Sequence, residues 1–322
     1  MIVSVSRRTD IPAFYSDWFF NRLKEGVVHS VNPFNRRQIG EISLRPEDVD
    51  CFVFWTKNPA PMLDRLDLLA GYNYYFQFTL TPYGRDAEPG LPDKRELLEV
   101  FRRLSAKLGR DRVVWRYDPV FLSGKYDMDF HAVAFRQLAE SLHEYTDLCV
   151  ISFVDLYDKF SRNIRTLALF PLDELKMRQM AAMFSSIAAE YNLTLESCSE
   201  KIDLSDCGIR HGQCIDKRRL EKILGGRIDI GKDTNQRQEC GCVQSVDIGQ
   251  YNTCRHLCAY CYANVNARMV EACAAMHNPR STILSGELRG DEKINRRKVE
   301  HLKIVKDADE KNTGYPGQLS LF

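Results

Sequence analysis

Thr253-Cys254-Arg255-His256-Leu257-Cys258-Ala259-Tyr260-Cys261-Tyr262 sets three cysteines in a Cys-x3-Cys-x2-Cys array, with a tyrosine just before the third. Three thiolates on one short loop can hold three irons of a 4Fe-4S cluster, which ordinarily takes four cysteine ligands. The fourth iron is then open, and an open metal position points to chemistry rather than to a structural staple. Zinc sites read instead as two Cys-x2-Cys pairs set at a distance, whereas this is one triplet with unequal gaps. Zinc, or three unligated thiols, are the alternatives.

The loop stands late in a chain of 322 residues, a length that suits one large α/β barrel or two small domains. A formal net charge of +1 excludes a global field that draws the chain to nucleic acid, so any basic footprint is local. There is no apolar leader and no run of the ~20 apolar residues that span a bilayer, which predicts a cytoplasmic protein with no membrane partner. Eleven cysteines in a reducing compartment argue for metal ligation over a disulfide framework. Cys51, Cys149 and Cys273 lie in apolar or helical surroundings and read as inert core residues.

Before the loop, apolar runs alternate with helical ones. Strands are predicted at Met1 to Ser6, Cys51 to Trp55, Tyr74 to Phe78, Arg112 to Trp115, Leu148 to Val154 and Leu193 to Ser197. Helices are predicted around Trp18 to Glu25, Lys94 to Lys107, Asp129 to Leu142, Leu172 to Tyr191 and Ala263 to Met276. The repeat argues for a parallel sheet covered by helices. Each strand runs into polar residues: Arg7, Arg8 and Asp10; Lys57 and Asn58; Thr79 and Thr81; Arg116 and Asp118; Asp155; Glu196. In β/α barrels the site is built at such strand ends, which makes Arg8, Asp10, Arg116 and Asp118 the candidate catalytic residues. Trp55, Trp115, Tyr117 and Arg116 are candidate stacking groups, with core packing the alternative for the tryptophans.

The triplet resembles that of the radical S-adenosylmethionine (SAM) superfamily. The resemblance implies that Cys254, Cys258 and Cys261 ligate three irons, that SAM chelates the fourth, and that Tyr260 lies beside its adenine. Thr9-Asp10-Ile11-Pro12, Thr56-Lys57, Thr79, Thr81 and the run Glu88 to Arg95 resemble, in order, motifs of the spore photoproduct lyase branch. That likeness implies that Lys57 pairs with the SAM carboxylate beside Thr79. In the superfamily the triplet follows the first strand; here most of the chain precedes it. The implied fold is therefore α/β, a circularly permuted partial (β/α)6-type barrel. No Gly-Gly-Glu run assigns the SAM amine. Ser6 to Pro12, Phe54 to Pro59 and Trp115 to Pro119 resemble signature runs of a bacterial family known as DUF1848.

A second cysteine group comprises Cys198, Cys207, Cys214, Cys240 and Cys242. Four thiolates can close a second 4Fe-4S cluster or a zinc site. The preferred set is Cys198, Cys214, Cys240 and Cys242, with Cys207 as a substitute. The chain thus divides into a barrel portion (1–197), a Cys-rich segment that completes the barrel (198–280) and a polar, mobile extension (281–322). The extension ends in Gln318-Leu319-Ser320-Leu321-Phe322, which resembles the bacterial sliding-clamp motif. There Gln318, Leu319, Leu321 and Phe322 would engage the clamp, with back-packing on the barrel as the alternative.

The expected function is a radical SAM enzyme that generates a 5′-deoxyadenosyl radical, fed by a donor such as flavodoxin or ferredoxin, and acting on nucleic acid in DNA repair or base modification. The alternatives are radical chemistry on a small metabolite or peptide, and a non-enzymatic, metal-stapled protein tethered to the clamp.

Overall fold

The computed structural model describes residues 1–154 and 164–305. In chain order the strands are β1 (Ile2–Val5), β2 (Val27–Val31), β3 (Gln38–Ser43), β4 (Cys51–Thr56), β5 (Tyr74–Thr79), β6 (Val113–Val120), β7 (Leu148–Phe153), β8 (Thr194–Cys198), β9 (Arg210–Gly212), β10 (Arg227–Asp229), β11 (Val246–Asp247), β12 (Lys293–Arg296) and β13 (Lys303–Val305). Eight of them form one sheet in the order β11-β1-β4-β5-β6-β7-β8-β9. Every neighbouring pair in it is parallel.

The alternating pattern therefore gives a mixed α/β fold with a large parallel sheet. It differs from the six-strand expectation in two short strands, β9 and β11, which stand at the two ends of the strand order. Strands of three and two residues are too short to display a period in sequence. β11 comes from residues 246–247 yet lies outside β1, pairing Val246 with Val3 and Asp247 with Ser4.

Side chains alternate between the two faces of each strand. One face carries Val3, Val5, Phe52, Phe54, Phe76, Phe78, Trp115, Tyr117 and Ile151, which pack against Trp18, Phe101, Phe135 and Phe184 of the flanking helices. Those helices span Ser16–Glu25, Lys94–Leu108, Met128–Leu142 and Glu174–Glu190. Three of them start at an aspartate whose carboxylate accepts a backbone N–H of the first turn: Asp93, Asp127 and Asp173. Such a cap stabilises a helix by about 1 kcal/mol. Trp115 and Tyr117 are fully buried in this core and are not available for stacking on a substrate.

The other face starts apolar, with Ile2, Cys51, Val53, Tyr75, Val114 and Val150. It is covered by Ile215, Leu220 and Val243 of the 214–245 segment. Towards the C-terminal ends the same face turns polar, which places the candidate site.

β2 and β3 form an antiparallel hairpin, extended by β12 alongside β3, and β13 pairs with β10. The first part of the extension, expected to be mobile, thus docks as far as Val305. All four side chains of β12 are exposed, so its pairing is carried by backbone alone and leaves no hydropathy signal. The expected strand-end residue Asp155 and the motif residues Gln318, Leu319, Leu321 and Phe322 lie outside the described residues. Among the described residues no helix is long and apolar enough to cross a membrane.

Candidate functional site

The period of two puts most of the polar strand ends on one face. On β5 it runs Tyr75, Gln77, Thr79; on β6, Val114, Arg116, Asp118; on β7, Val150, Ser152; on β8, Glu196, Cys198. Register aligns Thr79 with Arg116, Arg116 with Val150, and Val150 with Glu196. Glu196 departs from the expected role. It is buried and ion-paired to Arg210 at 3.0 Å and Arg218 at 2.7 Å, so it braces β8 against β9 and the next helix.

The triplet loop follows β11 at the head of the sheet. Tyr15 Oη donates to the Thr253 carbonyl at 2.6 Å, and Asn264 Nδ2 donates to the Cys254 carbonyl at 2.7 Å. The loop turns through Leu257 in the left-handed region, φ 54°. Its other side rests on residues 87–90: Ala259 N donates to Ala87 O at 2.8 Å, and Gly90 N to His256 O at 3.0 Å. A Cβ at Gly90 would stand 2.6 Å from the Arg255 carbonyl, so this approach requires glycine. Burial raises all three thiols above their ordinary range, Cys258 to about 12 even with Lys57 pulling it down.

Asp10 is a hub rather than a free acid. Its carboxylate accepts from Ala13 N at 3.0 Å, Thr56 Oγ1 at 2.8 Å and Lys57 N at 2.6 Å. It also pairs with His256 Nε2 at 2.8 Å. It thereby ties the end of β4 to the triplet loop.

Lys57 reaches the buried carboxylate of Glu88 at 2.7 Å and lies 5.6 Å from the centroid of the Tyr260 ring. Glu88 also accepts from Thr81 Oγ1 at 2.8 Å and is bonded by Lys94 Nζ and Tyr260 Oη. Burial by itself would raise the Glu88 pKa; Lys57 and Lys94 overcome it and hold the group at about 2. Glu88 and Lys94 were read only as part of a motif run, with no role of their own. Glu88 stands nine residues past the end of β5 and five before the helix N-cap Asp93, a spacing that carries no sequence signal of this role.

The second cysteine group is also brought together, and in the preferred combination. Cys198 and Cys214 sulfurs lie 2.8 Å apart. Cys242 lies beside Cys214 and Cys240, and Ile215 N donates to Cys242 Sγ at 3.4 Å. Cys207 is excluded: its sulfur faces the Arg178 carbonyl at 3.8 Å. Cys214 opens the helix Lys217–Leu224, and Tyr75 Oη and Gln77 Nε2 both donate to its carbonyl at 2.7 Å. All these thiols are free. Among the described residues no three side chains converge as a single-ion ligand set.

Arg116, 5% exposed, joins this group to the strand ends. Its Nε and Nη2 donate to Asp118 at 3.0 and 2.5 Å, and Nη1 donates to Cys214 Sγ at 3.0 Å. Asp118 also accepts from Ser152. Arg8 donates to Gly249 O at 3.4 Å and lies 5.3 Å from the Tyr251 ring. Arg7, expected at the end of β1 but outside the catalytic set, has its guanidinium 5.1 Å from the Trp55 ring, and its carbonyl accepts from Tyr262 Oη at 2.6 Å. Two shallow cavities, about 430 and 290 Å³, lie elsewhere and are lined by no cysteine.

A sequence model of the family described as "Domain of unknown function (DUF1848)" matches residues 2–263, from β1 through the triplet. No curated protein matches the chain. Among solved structures, "a putative alpha-L-fucosidase from Bacteroides thetaiotaomicron VPI-5482" is 13% identical over 67% of this chain and 82% of that one, with a TM-score of 0.24. That likeness is too slight to carry an argument.

Proposed function

The chain belongs to the DUF1848 family, and we propose that it is an iron–sulfur enzyme of the radical SAM kind. One observation carries the reading. The triplet loop follows β11, and β11 lies beside β1 at the head of the sheet order. This resembles a radical SAM barrel whose first strand and cluster loop have moved to the end of the chain. The donor set fits a cluster with one open iron: three thiols on one loop, backed by the Lys57 cation. Bound there, a 4Fe-4S cluster and SAM supply one-electron cleavage of the sulfonium to a 5′-deoxyadenosyl radical.

The chain's own groups bind and orient. Lys57 offers a cation to a carboxylate and Tyr260 a ring face to an adenine. Glu88, held ionised by two lysines, fixes Lys57 and Tyr260 in place for those contacts. Arg116 and Asp118, fixed by each other and by Ser152, hold substrate polar groups at the strand ends. Thr79, in register with Arg116, borders the same space.

For substrate we propose nucleic acid, taken as a single strand or an extruded base. Support comes from the sheet of β2, β3 and β12. With its flanks it gathers Arg36, Arg37, Lys293, Arg296, Arg297 and Lys298, of which Arg296 pairs with Glu41 at 3.8 Å and Lys298 with Glu300 at 3.5 Å. At the hairpin turn Phe34 is 98% exposed. Ser30 Oγ bonds the Asp247 carbonyl at 3.2 Å, which sets the turn beside the strand ends. Cations on a surface track phosphates, and an exposed ring stacks a base. The proposed partners are DNA, the sliding clamp through the terminal motif, and a flavodoxin or ferredoxin as donor.

The test is release of 5′-deoxyadenosine from SAM by reduced, anaerobically reconstituted protein. Cys258→Ala should lower it at least a hundredfold; turnover unchanged in that variant rejects the reading. For the substrate, Phe34→Ala should weaken binding to labelled single-stranded DNA roughly tenfold, and equal affinity removes the nucleic-acid proposal.

A further inference from the structure

We propose that Cys198, Cys214, Cys240 and Cys242 bind a second 4Fe-4S cluster, capped by cysteine on every iron. This goes beyond the radical SAM reading and does not depend on it.

The four cysteines are buried, at 8, 8, 8 and 1% exposure. They arrive from the end of β8, from the loop before a helix, and from a Cys-Gly-Cys pair. Buried cysteines often serve as small apolar groups. That explanation fails here, because an apolar pocket does not attract guanidinium groups. Arg116 aims Nη1 at the Cys214 sulfur at 3.0 Å. Arg7 lies near Cys242, Cys214 and Cys240 as well as Asp247, and its Nη2 is buried with no hydrogen-bond partner. Two guanidinium groups thus stand beside the sulfurs, and thiolates on a metal centre give them further counter-charge.

The set supplies the four cysteine ligands that a 4Fe-4S cluster takes. Zinc also takes four thiolates, and the iron and zinc content of the protein separates the two. The Cys198 and Cys214 sulfurs lie 2.8 Å apart, so loading the centre spreads them. With every iron capped, this centre has no open position and is not a second SAM site. It lies on the polar face, one hydrogen bond from the Arg116–Asp118 pair.

The decisive chain is the triple variant Cys254→Ala, Cys258→Ala, Cys261→Ala, reconstituted with iron and sulfide. It should retain about four irons per chain and give an EPR signal on reduction. Adding Cys207→Ala should leave that iron in place, and adding Cys214→Ala should remove it while far-UV circular dichroism is kept. Arg116→Gln should lower the reduction potential of the retained centre by removing the donor to Cys214. If the triple variant does not fold, Cys214→Ala alone should lower the iron of the otherwise intact chain by about four per chain. One zinc and no iron in the triple variant, a folded triple variant without metal, or unchanged iron in the Cys214→Ala chain each overturn it. Loss of SAM cleavage with iron retained in the triple variant faults neither centre; iron lost from the triple variant alone faults only this one.

Discussion

The triplet loop and the dispersed cysteine set occupy the same polar end of one sheet, yet they are built in opposite ways. The triplet spans eight residues, and its shape is fixed by backbone bonds to residues 87–90 and by the Asp10–His256 pair. The dispersed set draws on residues from 198 to 242; besides its sulfur contacts and Arg116, its last segment is tied by Asp233 N to Cys242 O at 2.9 Å and Val243 N to Ile215 O at 3.2 Å. A contiguous site carries its geometry in its own backbone. A dispersed site has geometry only once the whole sheet is folded, and the proposed metal would add to what keeps its last segment in place.

That contrast is sharpest at Glu88, which stiffens the triplet side. Glu88→Gln leaves Lys57 and Lys94 buried without their counter-ion. It should cost about 3–5 kcal/mol in thermal or denaturant unfolding. A loss under about 1 kcal/mol would mean that the triplet side is no better fixed than the other.

Acid separates the triplet side from the helix-packed face. Glu88 has a folded pKa of about 2, below its ordinary 4.5. Its contribution is full above pH 4.5 and is lost as pH falls towards 2. His131 acts earlier and on the apolar face. Its ring accepts from Tyr117 Oη at 2.7 Å and donates to the Phe121 carbonyl at 2.9 Å. Burial lowers its pKa from 6.5 to about 4, so stability falls as pH drops through that window. His131→Gln should flatten the upper limb of a stability–pH curve and leave the lower one. If the lower limb flattens too, the assignment to Glu88 is wrong.

Metal removal gives the smallest global effect and the finest test of the contrast. Chelated apoprotein should gain hydrogen exchange across residues 232–245 while the 253–262 amides stay protected by their backbone bonds. Equal gains in both segments would erase the distinction.

Sequence reading found what is local. β4, β5, β7 and β8 begin within a residue of their predicted starts, because their apolar runs pack on both faces of a parallel sheet. The helix at Lys94–Leu108 likewise shows its period. The hairpin of β2 and β3 read as a loop, since Asn32-Pro33-Phe34-Asn35 is turn chemistry and its strands are half-exposed. β11 was invisible at two residues. At the site the triplet loop was legible from its spacing, and the gathering of four of the second group's five cysteines from their density and their places at a strand end, a helix start and a Cys-Gly-Cys turn. The roles of Glu88 and Lys94 were not, because their importance lies in which burial they share.

The most direct measurement is the EPR spectrum of dithionite-reduced Cys214→Ala, a chain expected to keep only the triplet's cluster. The account predicts about four irons and a reduced-cluster signal that shifts when SAM is added. Iron present with a spectrum that SAM leaves unmoved would contradict the claim of an open iron at Cys254, Cys258 and Cys261.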